Sequence, residues 1–235
     1  MNITFLFLAV IAAIVAWWLA QQRLTAKPWL EAGSIGDTGA SSLPAAKIGL
    51  GVFLAVVSSL FALLISAYSM RMEMGEWKPA PVPKLLWLNT GALILSSGAL
   101  QWARVAAHRG RLDRVRAVLL AGGIFAFAFL AGQLVAWRQL DAAGYYLTAN
   151  PAAAFFYLIT GVHGLHLLGG LVALGRTMDK AWQGAKLDQM RLSVDLCATY
   201  WHFLLFVWLV LFSLLLLTDP IESDSGLVSL IGRIF

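Results

Sequence analysis

The stretch from Asp195 to Leu217 reads DLCATYWHFLLFVWLVLFSLLLL, an apolar span interrupted near its start by Tyr200, Trp201 and His202. At about 1.5 Å of rise per residue, such a helix crosses a hydrocarbon core of roughly 30 Å once its flanks are included. The polar residues inside it add a second constraint. A histidine in hydrocarbon needs a partner for each ring nitrogen, and Tyr200 and Trp201 lie deeper than an interfacial aromatic belt requires. A neighbouring helix has to supply those partners.

The preceding apolar span, Phe155 to Leu174, carries His163 and His166. If the two spans are antiparallel neighbours, His166 and His202 each lie about eight residues, roughly 12 Å, below the same membrane face. They could then share a layer. Neutral imidazole is a good ligand for iron, copper or zinc, and two histidines at one depth on adjacent helices suit a membrane b-type haem. The other reading is hydrogen bonding between helices, with His166, Tyr200 and a backbone carbonyl satisfying one another. No second histidine pair and no intramembrane carboxylate completes a metal site.

Composition extends the membrane reading to the whole chain. Apolar residues make up 60% and charged residues 12%, where a soluble domain carries about a quarter charged residues. The 10 tryptophans fit two membrane interfaces. The net charge of +5 does not point to nucleic acid, because the basic residues sit between apolar spans. Cys197 is the single cysteine, so neither a disulfide nor a cysteine metal site forms within the chain.

Taken in order, Ile3 to Ala20 is apolar, lacks a basic start and lacks a small-x-small cleavage site, so it reads as a retained helix. Residues 22–46, with Pro28, Gly33, Gly36, Gly39 and Pro44, have linker composition. Five further spans follow: Lys47 to Met70, Leu85 to Ala106, Ala117 to Trp137, Ala152 to Leu174 and Val194 to Leu217. The expected architecture is all-α, a polytopic membrane helix bundle of six transmembrane helices. Its parts are an N-terminal helix in 1–21, the linker 22–46, a five-helix bundle in 47–218 and an external tail in 219–235.

Arg23, Lys27, Lys47, Arg104, Arg109, Arg111, Arg114, Arg116, Arg176, Lys180, Lys186 and Arg191 fall on one side of this arrangement. Arg71, Lys78, Lys84, Arg138 and Arg233 fall on the other. The richer side is cytoplasmic by the positive-inside rule, which puts both termini outside. Gly161, Gly164, Gly169 and Gly170, and Gly91, Ser96, Ser97 and Gly98, suit close helix approach and interhelical hydroxyl bonds. Gln133 and Asn89 with Thr90 read as bridges to neighbouring helices. Asp195 reads as a helix cap or an interface ion pair.

In sequence order these features match a known pattern. Leu88-Asn89-Thr90 precedes Ser96-Ser97, and Gln133 precedes Trp137 and Leu140. Gly144 and Asn150 follow, then Phe155-Phe156, Thr160-Gly161, His163-Gly164 and His166. Asp195 leads Tyr200-Trp201-His202-Phe203 and Trp208. Over roughly Ile48 to Leu217 the sequence resembles subunit III of the haem-copper respiratory oxidases, cytochrome c and quinol oxidases alike. The resemblance implies a chain that carries no haem or copper and packs in a hetero-oligomeric membrane complex with subunits I and II, which hold those cofactors. It also implies a cleft for phospholipids and a role in protecting proton uptake. On this view His163, His166, Tyr200, Trp201, His202, Gln133, Asn89 and Asp195 are structural, interhelix or lipid-contacting positions, with no catalytic residue among them. The five helices after the linker resemble the short form of the family, with a helix added in front.

Three positions depart from the family pattern. Val57, Ala136 and Leu205 stand where intramembrane acids are expected, which leaves an acid-linked role in proton delivery without its carboxylates. The reading that results is a noncatalytic subunit of a bacterial terminal oxidase that reduces O2 only as an assembled complex in the inner membrane. An accessory protein of a nitric oxide reductase and a haem-binding membrane electron carrier are the other classes. Neighbouring genes or co-purifying proteins would separate them.

Overall fold

A computed structural model describes residues 45–74, 77, 81–148, 150–184 and 187–218. Among these the regular structure is entirely helical: α1 (Ala45–Met72), α2 (Leu85–His108), α3 (Leu112–Ala142), α4 (Pro151–Trp182) and α5 (Leu187–Leu217). The N-terminal helix expected in 1–21, most of the linker and the tail 219–235 lie outside the described residues, so the six-helix count is not tested. The linker's last two residues, Ala45 and Ala46, already belong to α1.

The chain divides into two compact units, Met1–Ser69 and Met70–Phe235. Most of α1 falls in the first. Three of its serines bond the helix itself: Ser58, Ser59 and Ser69 donate to the carbonyls of Leu54, Ala55 and Ile65 at 2.8, 3.0 and 3.0 Å. Bonds of this kind let serine sit in a membrane helix without an outside partner.

In the second unit α2 packs on α3 and α5, and α4 packs on the same two helices, closing a ring of four. Short connections make sequential helices antiparallel. Each connection is written in local chemistry. Gly110, Gly144 and Gly184 follow the ends of α2, α3 and α4 with φ of 71°, 87° and 70°, a left-handed conformation that residues with a Cβ resist. The return of Tyr145 N to the Leu140 carbonyl at 3.0 Å closes the α3 end. At the start of α4, Asn150 accepts from Ala153 N at 3.0 Å and Pro151 occupies the first helical position.

On α2 the buried positions 86, 89, 93, 96, 100, 103 and 107 recur at spacings of three and four, one inward stripe. Leu86, Leu93 and Leu100 alternate there with Asn89, Ser96 and Ala103. This mixture explains a difference among the helices. By length and hydropathy, Ala45–Met72, Leu112–Ala142, Pro151–Trp182 and Asp188–Leu217 qualify as membrane spans, and α2 does not. Asn89, Thr90, Ser96 and Ser97 lower its hydropathy and are buried, whereas Gln101 and His108 near its C-terminal end are exposed.

The helices are longer than the sequence reading drew them. α3, α4 and α5 contain 31, 32 and 31 residues, about 46 to 48 Å each against a hydrocarbon core of roughly 30 Å. The stretch between Leu174 and Val194, which separates two of the expected spans, is largely helix: α4 continues to Trp182 and α5 begins at Leu187. Hydropathy stops at the membrane edge, whereas helical hydrogen bonding continues into the interface.

Candidate functional site

The interior of the α2–α5 ring is organised by tryptophans that donate to hydroxyls. Trp201 Nε1 on α5 donates to Ser96 Oγ on α2 at 2.8 Å, and Ser96 Oγ donates to the Gly122 carbonyl on α3 at 2.7 Å. Three helices are joined through one hydroxyl. Gly170 of α4 completes the layer, because a Cβ there would stand 2.9 Å from both Trp201 Cζ3 and Tyr200 Cε1. Only a glycine lets α4 approach those rings.

The same device occurs twice more. Trp208 Nε1 donates to Thr90 Oγ1 at 2.9 Å, and Thr90 donates to the Leu86 carbonyl at 2.8 Å. Trp137 Nε1 donates to Thr160 Oγ1 at 3.0 Å, and Thr160 donates to the Phe156 carbonyl at 2.7 Å. One links α5 to α2 and the other links α3 to α4. A hydroxyl is both donor and acceptor, so it can take an indole N–H and still discharge its own proton onto backbone. Tyr157 adds a polar tie at the same end, with its hydroxyl 3.3 Å from the Trp137 carbonyl and 3.1 Å from that of Tyr145.

The histidines take separate places. Tyr200 OH donates to the His166 carbonyl at 2.8 Å, and His166 Nδ1 lies 2.8 Å from the Val162 carbonyl one turn back. His202 turns to α2, where Nδ1 meets Ser97 Oγ and Nε2 lies 3.1 Å from Gln101 Oε1. His202 therefore bonds α2, while His166 Nδ1 bonds its own helix. His163 is fully buried, its ring 5.7 Å from Phe129 and 5.1 Å from Trp208. Among the described residues no three His, Cys, Asp or Glu side chains gather as a metal site.

Asn89 and Gln133 come together between α2 and α3, with Asn89 Nδ2 3.4 Å from Gln133 Oε1. Gly132 makes the approach possible, since a Cβ there would collide with Asn89 Oδ1. Glycines predicted for close contact divide. Gly161 faces Trp137 at 3.5 Å and Gly164 faces Leu130 at 3.7 Å, whereas Gly91, Gly98 and Gly169 have open space. Gly122 and Gly132, which do sit at helix contacts, were not singled out in the sequence.

Asp195 lies two turns inside α5 and not at its start, so it is no cap; Asp188 occupies the first turn. Its Oδ1 receives Arg104 Nε at 3.0 Å and His108 Nε2 at 2.9 Å, both from α2. Two arginines close helix ends nearby. Arg116 Nε and Nη2 donate to the Ala181 carbonyl at 3.0 and 2.8 Å, and Arg191 reaches the carbonyls of Ala107 and His108 at 3.4 and 3.2 Å. Cations at helix C-termini satisfy orphan carbonyls and oppose the negative end of the dipole. Gln101, His108, Arg116 and Arg191 were not assigned these partners from sequence, because each partner lies on another helix.

The fold and these contacts define a multi-pass membrane helix protein whose buried polar side chains join helix to helix. The family model for cytochrome c oxidase subunit III matches residues 2–217. Cytochrome c oxidase subunit 3 of Thermostichus vulcanus is 34% identical over 173 residues, covering 72% of this chain and 85% of the relative. The protein of that name from Synechocystis sp. is 33% identical over 178 residues, covering 72% and 74%. Cytochrome bo(3) ubiquinol oxidase subunit 3 of Pseudomonas aeruginosa is 24% identical over 186 residues, covering 77% and 87%. The chain belongs to the cytochrome c oxidase subunit III family.

Proposed function

We propose that this chain is the noncatalytic subunit III of a bacterial haem-copper terminal oxidase, stabilising the catalytic subunit I and binding phospholipid within a complex that reduces O2 to water. The observation that carries this reading is the engagement of the polar core. Ser96, Thr90 and Thr160 each hold an indole N–H and a backbone carbonyl, and Tyr200 and His202 are engaged between helices. Such groups fix helix positions and leave haem and copper chemistry to subunits I and II. The excess of Lys and Arg on the side of Arg104, Arg116, Lys180 and Arg191 supports a cytoplasmic placement of that end in the inner membrane. Both termini, including the span in 1–21 and the tail in 219–235, then face the periplasm.

Isolation of the tagged full chain from its own membranes in mild detergent tests the proposal. Co-elution with a subunit carrying both haem and copper supports it. Co-elution with a haem and nonhaem-iron enzyme, or haem held by this polypeptide, contradicts it.

A further inference from the structure

We propose that the middle of the α2–α5 ring holds a structural water molecule, bound to the side-chain amide nitrogen of Gln133. Gln133 is 3% exposed, and its Nε2 is buried with no hydrogen-bond partner in the chain. At the other end of the amide, Oε1 faces Asn89 Nδ2 at 3.4 Å. Two N–H bonds therefore point into a bilayer-spanning protein without an acceptor. Water is the ligand that buried polar groups of this kind take in membrane helices as in soluble cores.

Gln133 stands one helical turn from Phe129 on one side and from Trp137 on the other. Phe129 touches His163 and Trp208, with ring centroids 5.7 and 4.8 Å away, and Trp137 bonds Thr160. Phe129 and Trp137 thus lie one turn to either side of Gln133 along α3. The hydroxyls bonded to the neighbouring tryptophans Trp208 and Trp137 are Thr90 Oγ1 and Thr160 Oγ1. Each already receives one indole N–H and donates its proton to a carbonyl. A hydroxyl oxygen has two lone pairs, so each retains one acceptor position. A water accepting from Gln133 Nε2–H and donating to a threonine oxygen satisfies one of the two N–H groups without breaking any bond of the tryptophan network. It would couple α3 to α2 or α4 where the direct Asn89 to Gln133 contact is long.

The test is a density map of the whole complex containing this chain, at a resolution where ordered waters are visible. The expected result is a discrete peak about 2.7 to 3.2 Å from Gln133 Nε2, absent from the map of a Gln133→Met complex with the helices in place. Three results overturn the proposal: a protein acceptor paired directly with Nε2, including Asn89 Oδ1 after rotation of the amides; apolar side chains packed against Nε2 with no peak; or a peak that persists in Gln133→Met. The native map alone decides the first two, so the proposal stays testable even if the variant fails to assemble.

Discussion

Trp201 and Ser96 lie 105 residues apart in sequence, yet the indole nitrogen of one lies 2.8 Å from the hydroxyl of the other, and that hydroxyl is itself bonded to the Gly122 carbonyl. Both side chains are fully buried. The two partners are not equivalent. In Trp201→Phe, Ser96 still donates to Gly122 and no polar atom is orphaned, so the loss is about 1 kcal/mol plus any repacking. In Ser96→Ala the indole N–H is left buried without an acceptor, costing roughly 1 to 3 kcal/mol. Thermal unfolding of the detergent-solubilised complex checks the order, Ser96→Ala below Trp201→Phe below wild type.

Glycine substitutions divide by what faces them. Gly170→Ala drives a methyl against Trp201 and Tyr200, and both rings are held by hydrogen bonds, so they cannot easily yield. Gly132→Ala displaces the Asn89 amide. Each should cost about 1 to 3 kcal/mol through overpacking, whereas Gly98→Ala and Gly169→Ala, which meet open space, should fall within about 0.5 kcal/mol of wild type. Midpoints of denaturation for the four variants provide the comparison.

Asp195 joins α5 to α2 through Arg104 and His108, whose side chains are 42% and 51% exposed. Solvent screens such a cluster, so Asp195→Asn should lower stability by about 1 kcal/mol and not by the several expected for a buried pair. The difference from wild type should shrink as salt is raised. A stability difference independent of ionic strength would show that packing, not charge, gives Asp195 its role.

His202→Ala removes contacts to Ser97 and Gln101 and should destabilise the α2 to α5 seam by roughly 1 to 3 kcal/mol. The haem spectrum of the complex should be unaltered while the subunit remains bound. A changed spectrum with the subunit still in place would assign the histidine to the redox chemistry.

Helix identity and number within 45–218 were legible because long apolar runs between Gly, Pro and basic residues have few other folds open to them. The Tyr200-Trp201-His202 segment was expected to meet the span with His163 and His166; Tyr200 does bond the His166 carbonyl, but Trp201 and His202 bond Ser96 and Ser97 of α2. What sequence did not specify was azimuth. Counting residues sets His166 and His202 at similar depth, yet a rotation about α5 decides whether His202 meets α4 or α2, and no one-dimensional spacing contains that angle. The helix ends of α3, α4 and α5 were drawn too short for a related reason: Asp113, Lys180 and Asp188 end a hydropathy window but are comfortable on an interfacial helix. Gly122 and Gly132 were missed because a glycine matters through what opposes it, Leu100 at 2.5 Å from a Cβ in one case and Asn89 in the other.

The central claim is that this subunit's buried imidazoles and indoles position helices beside a larger redox partner and hold no electron-carrying centre of their own. The direct measurement is the visible absorption spectrum of the tagged chain, purified in mild detergent with its partners and then stripped from them. The account predicts that the haem bands and the copper leave with the partner subunits, and that the stripped chain is colourless. A Soret band retained by the stripped chain and lost on replacing His166 or His202 would contradict it.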